Sequence, residues 1–230
     1  MTPRDFPLRP ELGTLPMRLR GLPIDRRGFP VPWFVQWIDG EPEFRAMDPQ
    51  KFAIAHRQKK CWVCGDGLGA YLAFVIGPMC AVNGTSAEPP CHYECAEWSA
   101  RHCPFLSRPK MVRRENDLPD EIEVGEGALL RNPGCAGVWV TKCGYELVTA
   151  PGQSATGYVL RMGPPLRIEW YAEGRPATRA EVEASINSGM PFLFDACEKE
   201  RTPLDRRDAK RALMDARKAV EQWLPVAVQP

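Results

Sequence analysis

Two cysteines separated by two residues and followed by a glycine can turn both thiolates toward one point, and the stretch CWVCG at residues 61–65 has that form. A second group of soft donors, CHYEC, stands at residues 91–95, with His92 and Cys95 three positions apart. On the first turn of a helix, residues i and i+3 point the same way, and the free amides there favour thiolate charge. Four such donors are what a tetrahedral zinc ion takes in a structural role. Cys61, Cys64, His92 and Cys95 are therefore the expected ligands of a structural Zn²⁺. Cys80, Cys91, His102 and Cys103 lie near in sequence, and Cys91 shares a helical face with Cys95, so exchange of one ligand stays open. Buried free cysteine is the competing reading for any one of these residues, since a thiol packs as a small hydrophobe.

The elements around these donors are readable from turn and capping signals. WFVQW and EFRAM (33–37 and 43–47) flank Asp39-Gly40, a pair suited to the positive φ of a tight hairpin. Trp33, Val35 and Trp37 alternate onto one face. DPQKFAIAHRQKK predicts a short helix with Asp48 as N-cap and Pro49 at its first position, delivering the chain to Cys61. LGAYLAFVIGPM predicts a buried hairpin bending at Gly77-Pro78. After the two prolines 89 and 90, HYECAEWSARH predicts the ligand-bearing helix. Residues 137–171 read as four strands of an antiparallel meander, GVWVTK, YELVTA, GYVLRM and LRIEWYA. The C-terminal third is helical. A capping box at Thr178 and Glu181 opens one helix, Gly189 is expected to end it, and Pro191 to open another. Thr202 caps the last, whose apolar stripe of Ala209, Leu213, Ala216, Val220 and Trp223 predicts packing on the chain's own body.

The fold class expected is α+β: an antiparallel sheet with an embedded zinc-binding block (58–104) and a C-terminal helical segment. Residues 1–30 form a Pro-rich extended arm, 31–171 the mixed body, and 172–230 the helical segment. At 230 residues and 44% hydrophobic composition the chain can bury a core without a metal staple. The formal charge of +1 gives no overall preference for nucleic acid, membranes or acidic partners, so any such preference must come from local clusters. Two exist. HRQKK supplies Arg57, Lys59 and Lys60 just before the first cysteine pair, and SRPKMVRR supplies Arg108, Lys110, Arg113 and Arg114 after the helix. Solvated charge is the ordinary explanation of such runs; phosphate contact is the functional one. No secretion signal or membrane span is read at the N-terminus or elsewhere, which predicts a reducing cytoplasm, where nine cysteines serve metals more readily than disulfides.

Catalytic patterns are sparse. P-loop, GxGxxG and GxSxG sequences are missing. Pro90-Cys91 lacks the spacing and the preceding His-x-Glu of a zinc deaminase. Glu94 lies between two expected ligands, where a catalytic zinc would want a base, but a Glu in a first helical turn is also what the helix dipole favours.

The order of knuckle, hairpin and ligand-bearing helix resembles a treble-clef zinc finger over residues 58–104. Together, RGFPVPWFV, CWVCG, AFVIGPMCAVN, SAEPPCHYECAEWSARHCPFLSRP, RNPG and WYAEGRPATRAEV resemble a family of uncharacterised proteins encoded by tailed phages and prophages. The resemblance implies a phage protein acting in the host cytoplasm, and it carries no catalytic residues. The function expected is a zinc-stabilised protein that binds nucleic acid or a host or phage protein, in replication, regulation or counter-defence. A metal-dependent, nuclease-like enzyme on nucleic acid is the alternative.

Overall fold

The computed structural model describes residues 6–108, 134–150 and 157–226. Its elements are β1 (Val35–Ile38), β2 (Glu41–Met47), α1 (Pro49–Gln58), β3 (Leu72–Ile76), α2 (Pro78–Asn83), β4 (Thr85–Ser86), α3 (Tyr93–His102), α4 (Pro104–Ser107), β5 (Ala136–Thr141), β6 (Tyr145–Thr149), β7 (Tyr158–Met162), β8 (Arg167–Ala172), β9 (Arg175–Pro176), α5 (Arg179–Glu198) and α6 (Pro203–Val220). Among the described residues every strand pairing is antiparallel, so the chain is α+β.

Strand β5 organises the body. Its sequence AGVWVT is buried at every position, because the strand sits inside the sheet β3-β5-β8-β9 and both faces of that sheet are covered. Alternation then divides its side chains between two cores. Ala136, Val138 and Val140 join Ala73, Tyr171, Trp62, Cys95, Ala96 and Ala100 on the side of α3 and the cysteine-rich loop. Trp139 joins Phe74, Ile76, Trp170, Val182, Ile186 and Leu213 on the side of α2, α5 and α6. The small residues Ala96 and Ala100 let α3 lie close on the sheet.

The hairpin β1-β2 forms as read, with Asp39 (φ 49°) and Gly40 (φ 81°) supplying its turn. A register shift between Val35 and Gln36 breaks the expected alternation, so Val35 is buried while Trp37 is exposed. Helix α1 starts as expected: the Asp48 side chain accepts from the Gln50 and Lys51 amides. The N-terminal segment is irregular apart from two single 3-10 turns, Pro10–Leu12 and Met17–Leu19. It is docked on the body, since Leu15 and Leu19 are buried within the α3-side core.

Three local expectations are corrected. Gly77-Pro78 does not bend a hairpin: Gly77 is the N-cap and Pro78 the first residue of α2, and the partner of β3 is β5, more than fifty residues later in sequence. The four strands of 136–172 do not form a meander. β5 and β8 pair with each other, whereas β6 and β7 form a hairpin that joins β4 in a second sheet. Gly189 does not end α5, which runs on through Pro191 to Glu198. Gly189 is there for a close approach, since a Cβ would lie 2.5 Å from Met79 Cγ of α2. Apolar contacts on both sides of the proline, at Ile186, Met190, Leu193 and Phe194, outweigh the missing amide.

Both expected capping boxes are present, Thr178 with Glu181 and Thr202 with Asp205. The apolar stripe of α6 packs on the chain itself, and the Trp170 indole N–H donates to the Trp223 carbonyl at 3.0 Å. Glu181 serves double duty: it accepts from the Thr178 amide at 2.8 Å and from the Arg175 guanidinium. Arg175 first, then the Thr178 amide, hold its carboxyl down to about 2. A carboxyl depressed in the folded state stabilises the fold above its unfolded value, and that stability fades as pH falls toward the folded one. Between roughly pH 4.5 and pH 2 the melting temperature of the native chain is therefore expected to fall, and Glu181→Gln to flatten part of that fall. Melting curves read by circular dichroism test this; parallel pH profiles for the two proteins would refute it.

Candidate metal centre

Residues 59–68 form a tight loop closed by backbone bonds. The Cys61 amide donates to the Asp66 carbonyl at 2.7 Å, the Gly65 amide to the Cys61 carbonyl at 2.9 Å, and the Leu68 amide to the Lys59 carbonyl at 2.8 Å. Gly65 is required twice over. Its φ of +79° is left-handed, and a Cβ there would lie 2.8 Å from the Trp33 ring. The loop thus brings Cys61 and Cys64 to one side, and amides aim at the first sulfur: the Cys64 N–H lies 3.5 Å and the His92 N–H 3.4 Å from Cys61 Sγ.

Helix α3 supplies the other donors from its start. His92 is the N-cap residue and Cys95 stands in the first turn. The donor atoms of Cys61, Cys64, His92 and Cys95 all lie within 4.8 Å of one another. A tetrahedral zinc site, with sulfur at about 2.3 Å and nitrogen at about 2.0 Å, places its donors roughly 3.5–3.8 Å apart. The cluster therefore fits a metal ion with modest contraction. His92 Nδ1 faces the sulfurs, 3.4 Å from Cys64 Sγ and 4.0 Å from Cys95 Sγ, while Nε2 is 3.0 Å from the Gly67 carbonyl oxygen. A carbonyl only accepts, so Nε2 carries the proton and Nδ1 presents its lone pair, the second contact by which ligating histidines are usually oriented.

Three thiols this close cannot ionise independently. Hydrogen bonds from Cys64, Cys91 and Cys95 draw Cys61 strongly toward thiolate. Hydrogen bonding with Cys61, more than its negative charge, pushes Cys64 up to about 11 and, together with Cys64 and burial, drives Cys95 far above the ordinary thiol range. A divalent cation removes that conflict by stabilising all three thiolates at once.

The four donors expected from the sequence are the ones brought together. Cys91 packs beside Cys61, but its backbone forms a bridge with Ala73 and its thiol is held protonated by Cys61 and by burial. Cys80 lies on α2, and His102 and Cys103 at the opposite end of α3. Glu94 is occupied by Arg18 of the N-terminal segment at 2.7 Å, and Arg18 also approaches Asp66 of the loop at 3.8 Å. This strap, the Gly67 carbonyl and the Trp33 lid on Gly65 were not legible beforehand, because each joins residues distant in sequence. Of the basic residues, Arg57 and Lys59 are exposed and Lys60 partly so beside the loop, while Arg108 follows α4 at the far end of α3. Lys110, Arg113 and Arg114 lie outside the described residues. Among the described residues no helix is long and apolar enough to cross a membrane.

No protein-family model matches the chain, and no curated protein or solved structure shows detectable similarity to it.

Proposed function

We propose that this chain is a zinc-stabilised nucleic-acid-binding protein of phage origin acting in the host cytoplasm, with the Cys61, Cys64, His92 and Cys95 cluster holding Zn²⁺ as scaffold. The observation that carries the metal is the convergence of three sulfurs and one oriented imidazole nitrogen from two elements. Four protein donors fill a tetrahedron and leave no position for a reactive water, which favours structural over catalytic zinc. A knuckle followed by a helix start resembles the donor supply of a treble clef, although β3 and α2 replace the hairpin that fold would have.

Nucleic acid is favoured by position. Arg57 and Lys59 are exposed at the end of α1 directly before Cys61, where backbone bonds from Lys60 to Ala55 and from Leu68 to Lys59 fix their spacing. Fluorescence anisotropy with single- and double-stranded DNA and RNA over a salt series is the test. Replacing Arg57, Lys59 and Lys60 together by Ala is expected to weaken binding and to make the salt dependence shallower by roughly 2–3 units of slope. An unchanged slope would refute this interface, and capture of a host or phage protein after nuclease treatment would redirect the assignment to a protein partner.

A further inference from the structure

The four donors of the candidate centre ride on two elements, the loop 59–68 and the start of α3. Cys61 and Cys95 are buried, whereas Cys64 and His92 are partly exposed, so an ion leaves most readily where loop and helix part beside Cys64 and His92. Whatever pins the loop to α3 there governs the rate of exchange. Arg18 of the N-terminal segment spans the two elements. Its Nε lies 2.7 Å from Glu94 Oε1 on the first turn of α3, and its Nη1 lies 3.8 Å from Asp66 Oδ2, two residues past Cys64. Glu94 itself stands between His92 and Cys95 in sequence, so one guanidinium meets a neighbour of each donor pair.

Arg18 is well seated. It lies on the 3-10 turn Met17–Leu19, with Leu15 before the turn and Leu19 within it buried in the α3-side core, and Arg20 Nε donates to the Leu15 carbonyl at 3.1 Å. Further along the same segment, the Trp33 amide donates to the Val63 carbonyl at 2.7 Å, gripping the loop between Cys61 and Cys64. Charge explains why an arginine does the bridging. Three thiolates and a neutral imidazole around a divalent cation leave one net negative charge, and Asp66 and Glu94 each bring another carboxylate to that anionic centre. A cation shared between the two carboxylates offsets the repulsion that would push loop and helix apart. Linkage is reciprocal: a metal that orders this segment is in turn held more tightly while the segment is seated.

We propose that the N-terminal segment is a latch on metal exchange, in which Arg18 bridges Asp66 and Glu94 and slows release of the ion. The latch rests on the metal reading above and adds to it a control on that site; Glu94 becomes its anchor.

The test is the rate at which zinc-loaded full-length protein gives up its metal to excess pyridylazo chelator, read by absorbance. Arg18→Gln is expected to bind zinc in the native ratio and to release it roughly two- to fivefold faster at low salt, the size suited to a half-exposed ion pair. At roughly 1 M salt, where such pairs are screened, the two rates should converge. Arg18→Lys should recover part of the native rate. In an Asp66→Asn, Glu94→Gln background, Arg18→Gln should have no further effect, which separates the bridge from a general loosening of the segment. Equal release from native and Arg18→Gln protein, or a full Arg18→Gln effect in that background, overturns the latch and leaves the metal centre standing. A native protein that binds no zinc overturns both.

Discussion

Cys95→Ser is expected to purify with little bound metal and to melt well below the native chain. A serine hydroxyl is a poor zinc ligand, and the three remaining donors cannot close the tetrahedron. Structural zinc contributes on the order of 10 kcal/mol in finger peptides. In this chain the two packed cores supply stability of their own, so the loss should fall first on the segments nearest the metal. Those are the loop 59–68 and, through Arg18 on Glu94 and Asp66, the N-terminal segment. Limited trypsin digestion should accordingly cut at Arg18 or Arg20 in Cys95→Ser and in chelator-treated native protein before it cuts α6. Cys143→Ser serves as control, because Cys143 is exposed and outside the cluster. Elemental analysis reads the metal directly. A native protein without zinc, or a Cys95→Ser protein that keeps it in full, would refute the centre.

Trp62→Ala is the second large effect. Trp62 stands between Cys61 and Cys64 of the candidate centre and is 1% exposed. Its ring stacks on Phe34 at 4.9 Å, and Trp33 and Phe52 meet it edge-on at 6.4 and 6.1 Å. Its amide also donates to the Pro90 carbonyl at 3.1 Å, tying the loop to the approach of α3. Removing a buried tryptophan costs about 3–5 kcal/mol, and each lost aromatic pair contributes roughly 0.5–1.5 kcal/mol within that. A lowered urea midpoint with an unchanged slope is expected, together with weaker zinc retention against a chelator. Trp62→Phe should recover much of both. An unfolding free energy within about 0.5 kcal/mol of native would show that the loop does not lean on this ring.

Elements with local signals were legible. Asp39-Gly40, Asp48-Pro49, Thr178 with Glu181, and Thr202-Pro203 each satisfy their own backbone within a few residues, and each stands where it was read. The clustering of the four donors was legible for the same reason: a knuckle and a helical first turn are local devices. Strand partnership was not. β3 has the composition of a buried strand whether its neighbour is the next segment or β5, and the Gly77-Pro78 pair marks a helix start as readily as a turn. Gly189 and Pro191 misled because their usual meaning is set by the backbone, whereas here the approach of Met79 and flanking apolar burial decide.

The continuous burial of β5 makes it a party wall. Neighbouring residues on it belong to different rooms: Val138 adjoins the chamber shared with the sulfurs, and Trp139 the one roofed by the terminal helices. β3 and β8 share the partition, with Ala73 and Tyr171 on the cysteine side and Phe74 and Trp170 on the other, so a change among the terminal helices reaches the cysteine side through this sheet or through Tyr145, which packs against both cores.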